Sequence, residues 1–252
     1  MRYLGNKTRL AKYISPFLVK NLNGNNYLID VFAGAFGMIS NIDYPKRIAY
    51  DKDEFIIALI KAVRDGWTPP EHLYLDSGDG DEETGYKAVR EKLDNPEDGF
   101  MPAYVGFVGY GCSFGGKWFA GMARGGESGG KTRNHVAESS RNLVKMRPKL
   151  QGIKIQTKTY LEASVGEGNV IYCDPPYSTG TKYKTDFDHD IFWDWVRVQS
   201  KTNYVYVSEY NAPDDFVSIW EKEHKSGIDS KAIKHKPTVE KLFVLKGSKA
   251  DG

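Results

Sequence analysis

Four consecutive residues, Asp174-Pro175-Pro176-Tyr177, put a carboxylate, two rigid backbone units and an aromatic ring directly after the apolar run Val170–Cys173. That run has the length and composition of a buried strand. Proline has a fixed φ and no N–H, so the strand stops there and leaves a stiff loop whose carbonyls are free of any ladder. In an open α/β sheet, the region just beyond the carboxyl end of a strand is where ligands bind. Asp174 and the Pro175 carbonyl can accept hydrogen bonds from an exocyclic amino group on a flat base, and Tyr177 can stack on its ring. A plain surface turn has the same outline, so the rest of the chain must decide.

The elements that would position this loop are legible on either side of it. Residues 27–32 (Tyr-Leu-Ile-Asp-Val-Phe) read as a buried strand running into Ala33-Gly34-Ala35-Phe36-Gly37, a glycine turn at the start of a helix. This is the geometry of a nucleotide-type ligand under the first strand of an α/β sheet, without the full G-x-G-x-x-G signature. Residues 47–50 form a second strand that ends at Asp51, where an acid grips ribose hydroxyls; Asp53 is the alternative, and a helix N-cap is the competing role. Phe55, Ile56, Leu59, Ile60 and Val63 follow as an apolar helical stripe that belongs to the core. Upstream, Tyr3-Leu4-Gly5-Asn6-Lys7 reads either as a frayed terminus or as a small ligand-facing loop. It precedes a helix that Pro16 is expected to kink or end.

From Trp67 the character changes. Residues 111–124 mix aromatic, basic and glycine residues, including Lys117, Trp118 and Arg124, a combination that suits base stacking and phosphate contact. Residues 131–149 carry Lys131, Arg133, Arg141, Lys145, Arg147 and Lys149 with Glu138 as the one acid, a local footprint for phosphate on a chain of net charge only +2. Residues 125–132 also match the phosphate-loop pattern G-x-x-x-x-G-K-[ST] in full. That pattern needs a buried strand before it, and 118–124 is glycine-broken and basic, so a glycine loop is the better reading and a phosphate-loop ATPase the remote one. Beyond residue 150 the α/β rhythm returns. It gives strands at 153–157, 170–173 and 204–208, a turn into a short helix at 160–162, and a closing hairpin from 231–236 and 241–245. Residues 178–190, with Lys182, Tyr183 and Lys184, follow the tetrapeptide directly and read as a lid.

With 252 residues the chain is long enough for one core carrying an inserted second lobe. Its two cysteines, Cys112 and Cys173, have no metal-ligand spacing and fit free thiols in a reducing compartment. No signal-peptide core or membrane-length apolar run is expected, which points to a cytoplasmic protein.

Taken together, the motifs resemble the Dam-like DNA adenine-N6 methyltransferases, the D12 class with its α order of motifs. Residues 2–7 resemble the opening Tyr-x-Gly-x-Lys motif, Asp30-Val31-Phe32-Ala33-Gly34-Ala35-Phe36 the Phe-x-Gly-x-Gly cofactor loop, and Asp174 to Tyr177 the catalytic tetrapeptide. The resemblance implies a Rossmann-like α/β sheet from residues 1–66 and 151–252, with a smaller, helical DNA-recognition lobe inserted at 67–150. It implies S-adenosylmethionine held by Tyr3, Gly5, Lys7, Asp30, Phe32, Ala33, Gly34, Phe36, Asp51 and Asp174. Catalysis falls to Asp174, Pro175, Pro176 and Tyr177, with no metal. Double-stranded DNA would be met by Lys117, Trp118, Arg124, Lys131, Arg133, Arg141, Lys182 and Tyr183. A monomer or weak dimer in a bacterial cell, encoded there or by a phage, completes the expectation. An RNA adenine methyltransferase and a catalytically silent DNA-binding relative are the alternatives. One departure stands out: Phe36 occupies the place of the family's second glycine, where its ring would narrow the cofactor pocket.

Overall fold

The computed structural model describes residues 3–73, 81–94, 101–125, 127–128, 131–177, 187–224 and 238–252. Its frame is a seven-stranded sheet. The strands are β1 (Leu28–Asp30), β2 (Arg47–Asp51), β5 (Ile153–Thr157), β6 (Val170–Cys173), β7 (Tyr204–Glu209), β8 (Phe216–His224) and β9 (Thr238–Leu245), in the spatial order β5-β2-β1-β6-β7-β9-β8. The first five run parallel, and β9 lies antiparallel to both β7 and β8. The chain winds outward from β1 through β2 to β5, then returns to the other side of β1 as β6. The topological switch point therefore lies between β1 and β6, where an open α/β sheet leaves a crevice at its carboxyl edge.

Buried parallel strands need cover on both faces, and alternating side chains supply it. Leu28, Val170 and Tyr172 point into one core, while Ile29, Ile171 and Cys173 point into the other. The first core is closed by α1 (Thr8–Val19), α2 (Glu54–Arg64) and α5 (His135–Leu150), the second by α6 (His189–Gln199) through Phe192, Trp193 and Val196. Helix α1 runs on through Pro16 instead of ending there. The expected turn at 160–162 leads into no helix: Thr159 and Glu162 close a local turn and leave Leu161 exposed.

Between β2 and β5 the described residues form α3 (Glu82–Glu91), α4 (Pro102–Gly106), which continues into a π-helical turn at Phe107–Gly111, a short hairpin β3–β4 (Glu127–Ser128, Lys131–Thr132) and α5. Tyr86, Val89, Val105, Phe107, Phe119 and Leu143 join the same hydrophobic cluster as α1, α2 and the sheet. The segment's described part thus shares the main core. Glycines allow this close approach: a Cβ on Gly106 would lie 2.3 Å from the Phe55 carbonyl oxygen. The phosphate-loop pattern has no strand directly ahead of it among the described residues; instead Glu127 pairs with Thr132 and Ser128 with Lys131 in an antiparallel hairpin.

The closing hairpin pairs β9 with β8, whereas the sequence reading placed its first strand at 231–236, outside the described residues. A register break between Ser218 and Trp220 removes the alternation that would have marked β8. Among the described residues no helix is long and apolar enough to cross a membrane, and no group of acidic, histidine or cysteine side chains is arranged to hold a metal.

Candidate active site

The opening loop and the glycine loop form one wall of the crevice. Asn6 accepts hydrogen bonds from the Thr8 backbone N–H at 3.0 Å and the Thr8 hydroxyl at 2.6 Å, which fixes the start of α1. The backbone of Lys7 and Thr8 lies directly on Gly37: a Cβ there would sit 3.0 Å from the Lys7 nitrogen and 2.2 Å from Asn6 Oδ1. On Gly34, at φ +47°, a Cβ would meet the Tyr3 ring at 3.0 Å. These contacts explain why glycine is required at both places and why the short N-terminal motif is ordered against the sheet.

Lys7 is thereby carried to the end of β6. Its ammonium lies 3.0 Å from Asp174 Oδ1 and 3.3 Å from Glu240 Oε1, and it donates to the Tyr177 hydroxyl. The Tyr177 hydroxyl in turn reaches Glu240 Oε1 at 2.6 Å and Asp174 Oδ1 at 3.2 Å. Lys7 and Glu240 are buried, and Asp174 is 16% exposed. Burial raises the Asp174 carboxyl to about 6, held back by Lys7 and pushed further by Glu240. Burial also works against the Lys7 ammonium, but the two carboxylates outweigh it and hold its pKa above the ordinary lysine value. All the described contacts of Asp174 use Oδ1; Oδ2 takes no partner among the described residues. Pro175 is buried, Pro176 exposed, and the Tyr177 ring lies 4.4 Å from that of Tyr210, at the end of β7.

The neighbouring compartment lies beyond β1 and β2. Asp51 and Asp53 divide the roles that the sequence left open. Asp53 caps α2, accepting from Phe55 and Ile56 N–H, and also takes the Tyr110 hydroxyl. Asp51 turns toward the glycine loop, where its Oδ2 accepts the Gly34 N–H at 2.8 Å and its Oδ1 that of Asp53 at 2.9 Å. Each carboxylate oxygen has a second lone pair, so Asp51 can still take sugar hydroxyls. Asp30 is buried, accepts the Phe32 N–H, and its carboxyl is pushed well up, first by burial and then by the charge of Asp174. Phe32 stands half-buried against Tyr160, Phe187 and Phe192, an aromatic wall beside the loop. Ala33 is tied to the Tyr50 carbonyl, and Gly5 turns at φ +77°.

Phe36 corrects the sequence expectation. Its ring is fully buried in the main core, so it does not narrow the pocket. The backbone adopts φ +61°, the left-handed conformation that glycine would supply without strain. The loop thus keeps its shape at the expense of a strained residue whose side chain is used for packing.

The residues assigned to DNA contact are scattered more widely. The turn ahead of Lys117 touches the opening loop through Leu4 N–H to the Gly116 carbonyl at 3.3 Å, so Lys117 borders the crevice. Trp118 is not a free stacking platform: its ring packs on Phe55 at 5.0 Å, Tyr110 at 4.7 Å and Phe119 at 4.8 Å. Arg124 pairs with Glu83, Arg133 with Glu138 and Arg141 with Glu71, all at exposed positions where such pairs are weak and exchangeable. Arg147 is structural, donating to the carbonyls of Val63 and Trp67. Lys131 is placed only through its backbone in the hairpin; Lys182, Tyr183 and the rest of 178–186 lie outside the described residues, while the last part of the expected lid, 187–190, leads into α6, capped by Asp188.

Two side chains that meet this cluster were not singled out in the sequence reading, Glu240 and Tyr210. Glu240 had a signal: with Leu242 and Val244 it shares the inward parity of β9, where an acid has no reason to be unless it is partnered.

Comparison with protein families finds that residues 3–210 match the model of the D12 class N6 adenine-specific DNA methyltransferases. Comparison with curated proteins gives no match.

Proposed function

Because the chain belongs to the D12 class N6 adenine-specific DNA methyltransferases, we propose that its crevice at the β1–β6 switch point methylates an adenine flipped out of double-stranded DNA. The observation that carries this reading is the placement of Asp174. It stands at the end of β6 with one oxygen fixed by Lys7 and Tyr177 and the other left for a ligand, next to the cradle formed by Gly34 and Asp51.

On the cofactor side, Asp51 would accept the ribose hydroxyls, Phe32 would lie against the adenine ring, and the Gly34 loop with the Tyr3 ring packed on it would border the remainder of the molecule. S-adenosylmethionine, when bound, supplies an electrophilic methyl group on a sulfonium sulfur. The chain must make a poor nucleophile attack it. The lone pair of the adenine amino nitrogen is delocalised into the ring; hydrogen bonds from its two N–H groups to Asp174 Oδ2 and the Pro175 carbonyl favour a pyramidal nitrogen with a directed lone pair. One amino proton must leave as the amine is methylated, and Asp174 Oδ2 would receive it. Tyr177 stacks on the extruded base. Positioning and fixed charge provide most of the rate.

Residues 1–66 and 151–252 form the catalytic part in this reading, and 67–150 carries target recognition. Lys117 would meet phosphate there, and Arg124, Arg133 and Arg141 would exchange Glu83, Glu138 and Glu71 for phosphates. The test is transfer of a labelled methyl group from S-adenosylmethionine to unmethylated duplex DNA, followed by digestion to nucleosides. N6-methyladenine is the expected product. Cofactor binding without any methylated nucleoside in DNA would overturn the reading, and methylation of RNA alone would replace the substrate.

A further inference from the structure

The cluster at the end of β6 is assembled by a residue outside the family match. Glu240 sits on β9, beyond residue 210, and is 2% exposed. Its strand neighbours on the same face, Leu242 and Val244, are fully buried and apolar. A carboxylate in such a place costs free energy unless charged or hydrogen-bonding groups meet it. Two do, at the same oxygen: the Lys7 ammonium and the Tyr177 hydroxyl. Both also touch Asp174 Oδ1, and neither touches Oδ2.

We propose, resting on the methyl-transfer reading, that Glu240 is a positioning residue: by anchoring Lys7 and Tyr177 together it confines them to Oδ1 of Asp174 and keeps Oδ2 open for the adenine amino group. Without this anchor, the Lys7 ammonium has only Asp174 to pair with. It is then free to bridge both carboxylate oxygens, which blocks the acceptor, and the Tyr177 ring loses the contact that sets its tilt. Glu240 touches no reacting atom in this arrangement; it acts through the two residues it holds.

The charge of Glu240 also bears on Asp174, whose carboxyl it pushes up. The titratable groups around the pair are Lys7 from the opening loop, Asp30 at the end of β1, Tyr172 on β6, Tyr177, and Glu209 and Tyr210 at the end of β7. Lys222, opposite Glu240 on β8, has its ammonium over the Tyr13 ring. Removal of the Glu240 charge therefore moves the ionisation of Asp174 toward lower pH.

The experiment compares wild-type enzyme, Glu240→Gln and Glu240→Asp in methyl transfer to duplex DNA across pH, with folded fraction measured by circular dichroism. Glu240→Gln keeps the size but removes the charge that holds Lys7. Its kcat should fall roughly tenfold at unchanged cofactor KM, and the acid limb of its kcat/KM profile should move down by about half a pH unit or more. Glu240→Asp keeps the charge but is too short to span both partners. Its kcat per folded molecule should also fall about tenfold, with the acid limb in place. Wild-type kcat per folded molecule in Glu240→Asp overturns the proposal even if the Gln variant does not fold. A loss in both variants that merely follows the folded fraction, with no movement of the Gln limb, assigns Glu240 to packing and also overturns it. No transfer by the wild-type enzyme overturns the methyl-transfer reading itself, and this inference with it.

Discussion

Replacing Lys7 by Met removes the one cation from a buried cluster while keeping a side chain of similar reach. In the wild type the Asp174 carboxyl lies at about 6, with Lys7 the strongest influence holding it down against burial. An opposite charge in contact lowers a carboxyl pKa by about 1–3, so losing it should carry Asp174 to roughly 8 if a middle value of about 2 applies. The ionised fraction at about pH 7 then drops from about nine tenths to about one tenth. That loss in ionised fraction is about tenfold, equivalent to ~1.36 kcal/mol in rate. By about pH 9 most of Asp174 is ionised again and this part of the loss disappears. A pH-independent loss is superimposed, because Lys7 also fixes Tyr177. The assay is kcat/KM for labelled methyl transfer to a duplex oligonucleotide between about pH 5 and 9.5, with circular dichroism confirming the fold at each end. The diagnostic is the position of the acid limb. An acid limb in Lys7→Met that coincides with the wild-type limb would refute the electrostatic argument, however low the activity.

Three further outcomes are expected. Phe36→Ala leaves a cavity and keeps the left-handed backbone strain, so it should cost about 3–5 kcal/mol; Phe36→Gly should be less destabilised by about 0.5–1 kcal/mol, since glycine adopts this φ freely. Urea denaturation checks the pair, and an alanine variant more stable than the glycine variant would contradict the left-handed backbone at this position. Arg147→Ala should lower the midpoint of thermal unfolding by several degrees without changing DNA affinity. Arg141→Ala should leave the midpoint alone and reduce the salt dependence of DNA binding by about one counterion. Finally, because the Asp174 carboxyl is raised on folding, its favourable contribution is present below its unfolded pKa and is lost as the pH rises through about 6. Asp174→Asn should therefore be inactive yet more stable than wild type by about 1–2 kcal/mol near pH 7.5, with the gap shrinking toward about pH 4. Melting curves at the two pH values decide it, and a less stable variant near neutrality would contradict the sign.

Local chemistry made the catalytic end of the molecule legible. A strand cannot run on through Pro175-Pro176, and a glycine turn directly after a strand marks a close approach, so Asp174 to Tyr177 and the Gly34 loop could be placed on strand ends from the chain alone. Asp51 and Asp53 could not be separated in that way, since one ends β2 and the other stands two residues on; only the direction of each side chain shows that Asp53 caps α2 and Asp51 meets the glycine loop. The basic residues were misjudged for a related reason. Composition sees Arg147 and Arg141 as one footprint, whereas the fold spends the first on the carbonyls at the end of α2 and leaves the second exposed beside Glu71. Trp118 looked available because glycines flank it at 115, 116 and 121, but a more distant one lets it pack: a Cβ on Gly109 would sit 2.4 Å from its ring. Glu240 was missed because its inward parity on β9 asks for a partner without naming one, and Lys7 and Tyr177 are separated from it by long stretches of chain.

The antiparallel direction of β9 has a consequence for how this enzyme can vary. A parallel strand brings its last residue to the crevice, but β9 runs the other way and brings nearly its first, since Thr238 pairs with His224 at that edge and Leu245 with Phe216 at the opposite one. Glu240 is therefore the third residue of β9 and stands at the edge where Asp174 and Tyr177 lie. A change in the first residues of β9 should act on the acid limb of turnover, while one at Leu245 should register only as stability. A strand late in the chain would thus be a lever on chemistry, entered from the reacting side.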